Sequence, residues 1–259
     1  MNPDYPIAVR DVSYASPKGD RVSGFLVVPP TEGRHPAIVY VHGAGGDREE
    51  MVVQATWMAA RGAVALVVTL PPDMPAVEPA GWKAALAHQL DHTATTVVAL
   101  RRAVDVLQSL PSVDPDRIAF VGWSAGARLG AILAGVERRI GSYALLSGGA
   151  LPAARYAETA AKEMRATVAR ELGRIDPLRH IRRAAPARLL LQDGRLDEVV
   201  PREALEALAR AGSQPKDVRW YDDMGHAASS RAYRDQIAWL SRELDLGPVL
   251  VEGVLTGPE

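Results

Sequence analysis

Unbroken apolar runs recur along this chain: HPAIVYVHG at 35–43, GAVALVVTLP at 62–71, RIAFVGWS at 117–124, GSYALLSGG at 141–149 and ARLLLQDG at 187–194. A strand with one wet face would alternate. Runs of this kind suit strands covered on both faces, which is the situation of a parallel sheet. Helix-period segments lie between them. In 93–110, Val97, Leu100, Val104 and Leu107 fall three and four residues apart, and Pro111 ends the segment. In 49–62 a second helix is expected to close at Gly62. Strand and helix alternating in this way predict a mostly parallel sheet with helices on both faces. The opening differs. The stretches at 7–16 and 21–30 alternate around the turn signal PKGD, which predicts an antiparallel hairpin at a sheet edge.

Two segments fit the alternation less well. Residues 150–186 carry Tyr156, Ala160, Met164, Val168 and Leu172 at every fourth position, which predicts one amphipathic helix. It is either a crossover helix or a small lid over the strand ends, at about 150–180. The tail at 247–259 is expected to be an edge strand or a loose end. The 259 residues, 47% of them apolar, suffice for one large α/β domain over 1–259. A net charge of −1 gives no reason to expect a nucleic-acid or anionic-membrane partner. The absence of cysteine removes disulfides, thiolate metal sites and a cysteine nucleophile. No basic segment followed by an apolar one opens the chain, so a cytoplasmic protein without a secretory leader is expected.

Ser124 stands where the run RIAFV gives way to the helical pattern ARLGAIL, inside Gly122-Trp123-Ser124-Ala125-Gly126. That placement suits a strand-to-helix elbow that presents a nucleophilic hydroxyl, with small residues on either side to relieve crowding. A helix-capping serine is the other reading. A nucleophile needs a base, and the base an orienting acid, in the chain order serine, acid, histidine. Two histidines lie downstream. His226 follows the last expected strand, level with Ser124, whereas His180 precedes a strand and belongs to the opposite rim. For the acid, Asp197 follows the 187–194 run; Glu198 is the substitute, and Asp193 is assigned to the turn with Gly194. The small residues after the 35–43 run let the N–H of Ala44, with that of Ala125, serve as an oxyanion hole. His42 is read as a brace for that loop.

Around this set, Trp123 either lines an acyl site or packs beneath the loop. Residues 71–92 are read as a pocket wall, with Trp82 as its ligand contact or a packing anchor. His88 and His92 have i, i+4 spacing, yet no third ligand accompanies them, so no metal and no cofactor are expected.

Taken in order, HGAGG, GWSAG, DGRLDEVVP and the Gly225-His226 pair resemble the α/β-hydrolase superfamily, in its dienelactone-hydrolase-like and prolyl-oligopeptidase-like serine esterase branch. The resemblance runs from about Arg10 to Leu244. It implies an α/β-hydrolase fold with a mostly parallel eight-stranded sheet. It also implies hydrolysis of a small-molecule ester, with Ser124 attacking, His226 as base and then acid, and Asp197 holding His226. Thioester, lactone or amide cleavage on the same residues is the near alternative, and a non-catalytic binding scaffold the distant one. Two departures stand out. Dienelactone hydrolases use a cysteine where this chain has serine, and the chain is too short for the propeller of the oligopeptidases.

Overall fold

The computed structural model describes residues 7–16, 18–71, 81–150, 157–158 and 160–247. The hairpin β1 (Ala8–Ala15) and β2 (Arg21–Val28) is antiparallel, and β2 lies antiparallel to β4 (Val64–Val68). From there every pairing is parallel: β4 with β3 (His35–Val41), then β5 (Val113–Trp123), β6 (Ser142–Leu146), β7 (Arg188–Gly194) and β8 (Lys216–Tyr221). The order across the eight-stranded sheet is β1-β2-β4-β3-β5-β6-β7-β8. This is the α/β-hydrolase fold. The expected strands all form, including the edge hairpin.

Alternation along β3 shows why both faces are apolar. Ala37, Val39 and Val41 face one core, and Ile38 and Tyr40 face the other. The first core is closed by α2 (Gly81–Ser109) and α3 (Ala125–Ala134), with Ile181 of α5 (Pro177–Ile181) and Leu208 of α6 (Arg202–Ala211). The second is closed by α1 (Val52–Ala59) and by Trp239 and Leu240 of α7 (Ser230–Glu243). The chain leaves β3 for α1 on one face and leaves β5 for α3 on the other. A crevice therefore opens beyond the carboxyl ends of β3 and β5, where the strand order reverses.

Helix boundaries depart from the sequence reading in two places. α2 is 29 residues long and takes in residues 81–92, the later half of the stretch read as a pocket wall. Past Gly81 that stretch is rich in alanine and leucine, both strong helix formers, and no glycine or proline interrupts it. The 150–186 segment is not one helix. A short turn at Lys162–Met164 leads into α4 (Arg165–Leu172), Gly173 caps it, and α5 starts anew. The Asp176 carboxylate caps α5 by accepting from the N–H of Leu178 at 2.9 Å, with Pro177 in the first turn. The apolar stripe survives this break. Ala160 and Val168 are buried, and Met164, Leu172 and Leu86 of α2 pack on them. Tyr156 and the expected tail element lie outside the described residues. At α1, Gly62 takes a φ of +98° just past the helix, the left-handed turn expected of it.

One polar network fixes α3 against α2. The Glu137 side chain, 2% exposed, accepts from Arg139 Nε and Nη2 at 2.8 and 2.6 Å and from Arg101 Nε at 3.2 Å; Arg139 also reaches Asp105 of α2. Burial alone would raise the Glu137 carboxyl, but the hydrogen bonds from Arg139 and Arg101 outweigh it and hold the group down at about 2. Glu137→Ala removes the carboxylate that both guanidiniums share and leaves Asp105 to Arg139. It is expected to lower the unfolding free energy at pH 7 by about 2 kcal/mol, toward the low side for a broken buried pair because both arginines keep access to water. Because the folded group is held low, its contribution is complete above about pH 4.5 and is lost as the pH falls toward 2. The stability gap between wild type and variant, read by urea denaturation, should narrow over that range.

Candidate active site

Ser124 is the hinge between β5 and α3. Its backbone takes φ +53° and ψ −112°, a conformation costly for any residue with a Cβ. The surroundings hold it there. Its N–H donates to Leu146 O at 2.8 Å, its carbonyl accepts from Arg128 N at 3.0 Å, and Gly126 N donates to His42 O at 3.1 Å. Two of these bonds reach the neighbouring strand end and the β3 loop, so the turn is clamped from both sides. The flanking glycines are required by packing. A Cβ on Gly122 would lie 2.5 Å from the Gly126 carbonyl carbon and 2.7 Å from Ala127 N, and one on Gly126 would lie 2.7 Å from His42 O. The Ser124 side chain does not cap α3. The capping alternative therefore falls, and the hydroxyl is left to another partner.

That partner is His226, in the loop between β8 and α7. Its Nε2 lies 2.9 Å from Ser124 Oγ, and its Nδ1 lies 2.9 Å from Asp197 Oδ2. A carboxylate only accepts, so Nδ1 carries the proton and Nε2 accepts from the serine hydroxyl. The Asp197 side chain is 1% exposed, and its other oxygen accepts from Val199 N and Val200 N, both at 2.9 Å. Both faces of that carboxylate are thus committed, and its aim at His226 has little freedom. The substitute for Asp197, and the acid nearer His226 in sequence, are both accounted for otherwise. Glu198 is exposed, and Asp222 reaches out to Arg195 at 2.7 Å.

The His226 loop is itself held. Trp123 Nε1 donates to His226 O at 2.9 Å, with the two rings 5.6 Å apart at 43°. Trp123 is half-buried and packs on the apolar residues beneath. Gly194, at the end of β7, is pressed so closely on Met224 and Gly225 that a side chain there would strike their carbonyls. His42 Nδ1 donates to Gly43 O at 2.6 Å while Nε2 accepts from Leu70 N at 2.9 Å. This neutral ring ties the loop after β3 to the end of β4, as a brace should. The N–H groups of Ala44 and Ala125 meet no backbone acceptor among the described residues. Trp82 lies in the first turn of α2, and its side chain lies outside the described residues. His180 lies at the far end of α3: its backbone packs on Gly135, and its Nε2 lies 2.8 Å from Arg174 O. The His88 and His92 rings stack 5.9 Å apart; among the described residues no three metal-ligating side chains come together.

One residue was misplaced by the sequence reading. Asp193 is not a turn residue; it is the penultimate residue of β7 and 3% exposed. The unbroken run ARLLLQDG continues through it, and that continuity was the available signal.

Residues 53–247 match the model of the prolyl oligopeptidase family. The chain belongs to the prolyl oligopeptidase family. Family membership makes it a hydrolase, and the match spans the elbow, Asp197 and His226. Solved structures share the fold. An acetyl xylan esterase from Paenibacillus sp. R4 is 24% identical with a TM-score of 0.75, over 93% of this chain and 85% of that one. Acetyl xylan esterase 1 from Thermoanaerobacterium sp. JW/SL YS485 is 18% identical with a TM-score of 0.76, over 93% and 88%. A prolyl endopeptidase is 20% identical with a TM-score of 0.70; it covers 95% of this chain, which corresponds to 40% of the endopeptidase. No curated protein matches in sequence. Among the described residues no helix is long and apolar enough to cross a membrane.

The elbow's dependence on its glycines is open to test. Gly122→Ala is expected to cost about 2 kcal/mol of stability, because the obstructing atoms are backbone and cannot rotate away. Thermal denaturation beside wild type reads this directly, and an unchanged midpoint would mean that the turn opens freely.

Proposed function

We propose that this protein hydrolyses carboxylic esters of small molecules through an acyl-enzyme on Ser124, as a cytoplasmic enzyme. The single observation that carries the proposal is the hydrogen-bonded line from Ser124 Oγ through His226 to the buried Asp197, with 2.9 Å at each link, on a serine held at positive φ. In the reaction, Ser124 Oγ attacks the ester carbonyl while its proton passes to His226 Nε2. Asp197 stabilises the imidazolium through Nδ1–H. The carbonyl oxygen, now an oxyanion, accepts from the N–H groups of Ala125 and Ala44. Collapse breaks the C–O bond, and the departing alcohol takes the proton from Nε2. Water then attacks the acyl-enzyme with His226 again as base, releasing the acid and restoring Ser124. No step calls for a metal or cofactor.

Two of the structures that this chain resembles are esterases by name, which favours esters. The family is named for peptidases, and this favours a second reading, cleavage of short peptide or amide bonds on the same residues. Their chemistry differs mainly in the leaving group.

Turnover of p-nitrophenyl esters from acetate to decanoate, set beside a proline-p-nitroanilide peptide, separates the two. Wild type is expected to prefer the esters, and the chain-length optimum sizes the acyl site. Ser124→Ala and His226→Ala should each lower kcat by about four orders of magnitude or more, and Asp197→Asn by a similar factor through the wrong imidazole tautomer. Ester turnover that persists in Ser124→Ala, or a folded protein that a fluorophosphonate leaves unlabelled at Ser124, overturns the proposal.

A further inference from the structure

A second carboxyl lies buried beside the site and takes no part in the mechanism above. Asp193 sits at the end of β7, four residues before Asp197. Of its carboxyl, Oδ2 is buried and meets no hydrogen-bond partner among the described residues. Leu146 pairs with Gln192 in register, so Ser147 follows β6 level with Asp193. The Ser147 hydroxyl is likewise buried without a partner. Two unpartnered polar groups thus lie at matched positions beneath the loops that carry the site.

Several charged groups on the neighbouring elements are otherwise occupied. On the same loop, Asp197 is turned toward His226 from the β8–α7 loop, and Arg195 pairs with Asp222. On β8, Trp220 is the register partner of Asp193, and the guanidiniums of Arg195 and Arg202 lie 5.8 and 5.7 Å from its ring. Arg202 also pairs with Glu206 on α6, and Arg219 pairs with Asp235. Arg219 is in register with Gln192, which points to the face opposite Asp193. No cation pairs with Asp193 among the described residues. Burial, and then the charge of Asp197, push its carboxyl up to about 7.

We propose that Asp193 is a positioning residue that sets the pH range over which His226 works as a base. Uncharged, it leaves Asp197 as the anion bonded to the imidazole. Ionised, it adds a second negative charge on the Asp197 side and holds His226 as imidazolium over a wider range of pH. This rests on the reading of His226 as the base of a serine hydrolase.

The consequence is a particular shape of pH profile. At low pH both groups are protonated, and the proton affinity of His226 is that of an enzyme without the second charge. As Asp193 ionises, His226 becomes harder to deprotonate, so the acid limb of kcat/KM broadens beyond one ionisation. Asp193→Asn keeps the shape and removes the charge. Its acid limb should follow a single ionisation, with its midpoint lower by about half a pH unit or more, and should merge with wild type at low pH. A merely structural role would change kcat or stability and leave the midpoint alone.

The deciding experiment titrates His226 by NMR of its ring nitrogens in wild type and Asp193→Asn, beside the pH profile of p-nitrophenyl acetate hydrolysis. Asp193→Ser replaces the asparagine variant if that one does not fold. A His226 midpoint that falls in the variant, with a matching kinetic limb, supports the proposal. Equal midpoints in both proteins overturn it, even where Ser124-dependent turnover is intact. A His226 midpoint that falls without any Ser124-dependent turnover overturns the esterase reading instead, and leaves Asp193 as a neighbour that tunes an idle imidazole. Stability supplies an independent check on the carboxyl itself. Its folded value is raised, so the stability of wild type relative to Asp193→Asn should fall as the pH rises from about 4 through 7.

Discussion

The close approach of backbone to backbone at the β5–α3 elbow is the constraint from which the rest of the site follows. Ser124 can hold φ +53° because Gly126 N–H is bonded to the β3 loop and Gly122 lets the first turn of α3 lie directly against the strand. Given that turn, the hydroxyl leaves the helix axis and enters the crevice where the sheet order reverses. The loops after β3, β5, β7 and β8 all end on the same edge of a parallel sheet. Ser124, Asp197 and His226 can therefore meet although about a hundred residues separate the first from the last.

Three buried or half-buried carboxyls show how environment decides what such a group does. Glu137 faces two guanidiniums, and its hydrogen bonds overcome burial, so it is a fixed anion joining α2 to α3. Asp197 has no arginine; backbone N–H groups and His226 fill its acceptor sites. Asp193 has neither, and burial beside another acid favours its proton. The first steadies the chain at the end of the helix behind the serine, the second is bonded to the imidazole, and the third lies beside the second without a cation of its own among the described residues. The division of labour follows from partners rather than from residue type.

Much of the fold was legible in advance for a simple reason. A strand covered on both faces must be apolar throughout, and HPAIVYVHG or GSYALLSGG admits few other structures. Helix ends were less legible. Residues 71–92 read as a single pocket wall, yet the propensity of 81–92 makes that half the start of α2. In 150–186 the four-residue period survives, but Gly173 and the Asp176-Pro177 cap break the helix without disturbing which side is apolar. Periodicity reports the buried face, not whether the axis stays continuous.

The same boundary divides the candidate site. Sequence alone determined that Ser124 stands between a strand and a helix and that His226 follows a strand whereas His180 precedes one, because each depends on which end of a strand a residue lies at. Only the tertiary structure decided that the Asp197 carboxylate is closed off by Val199 and Val200. It also decided that Trp123 anchors the His226 loop through its indole N–H, and that Asp193 is buried beside Asp197 rather than exposed in a turn. These facts depend on the distance between loops that share no local sequence. Strand order and sheet twist set that distance, and the period of a single segment does not carry it.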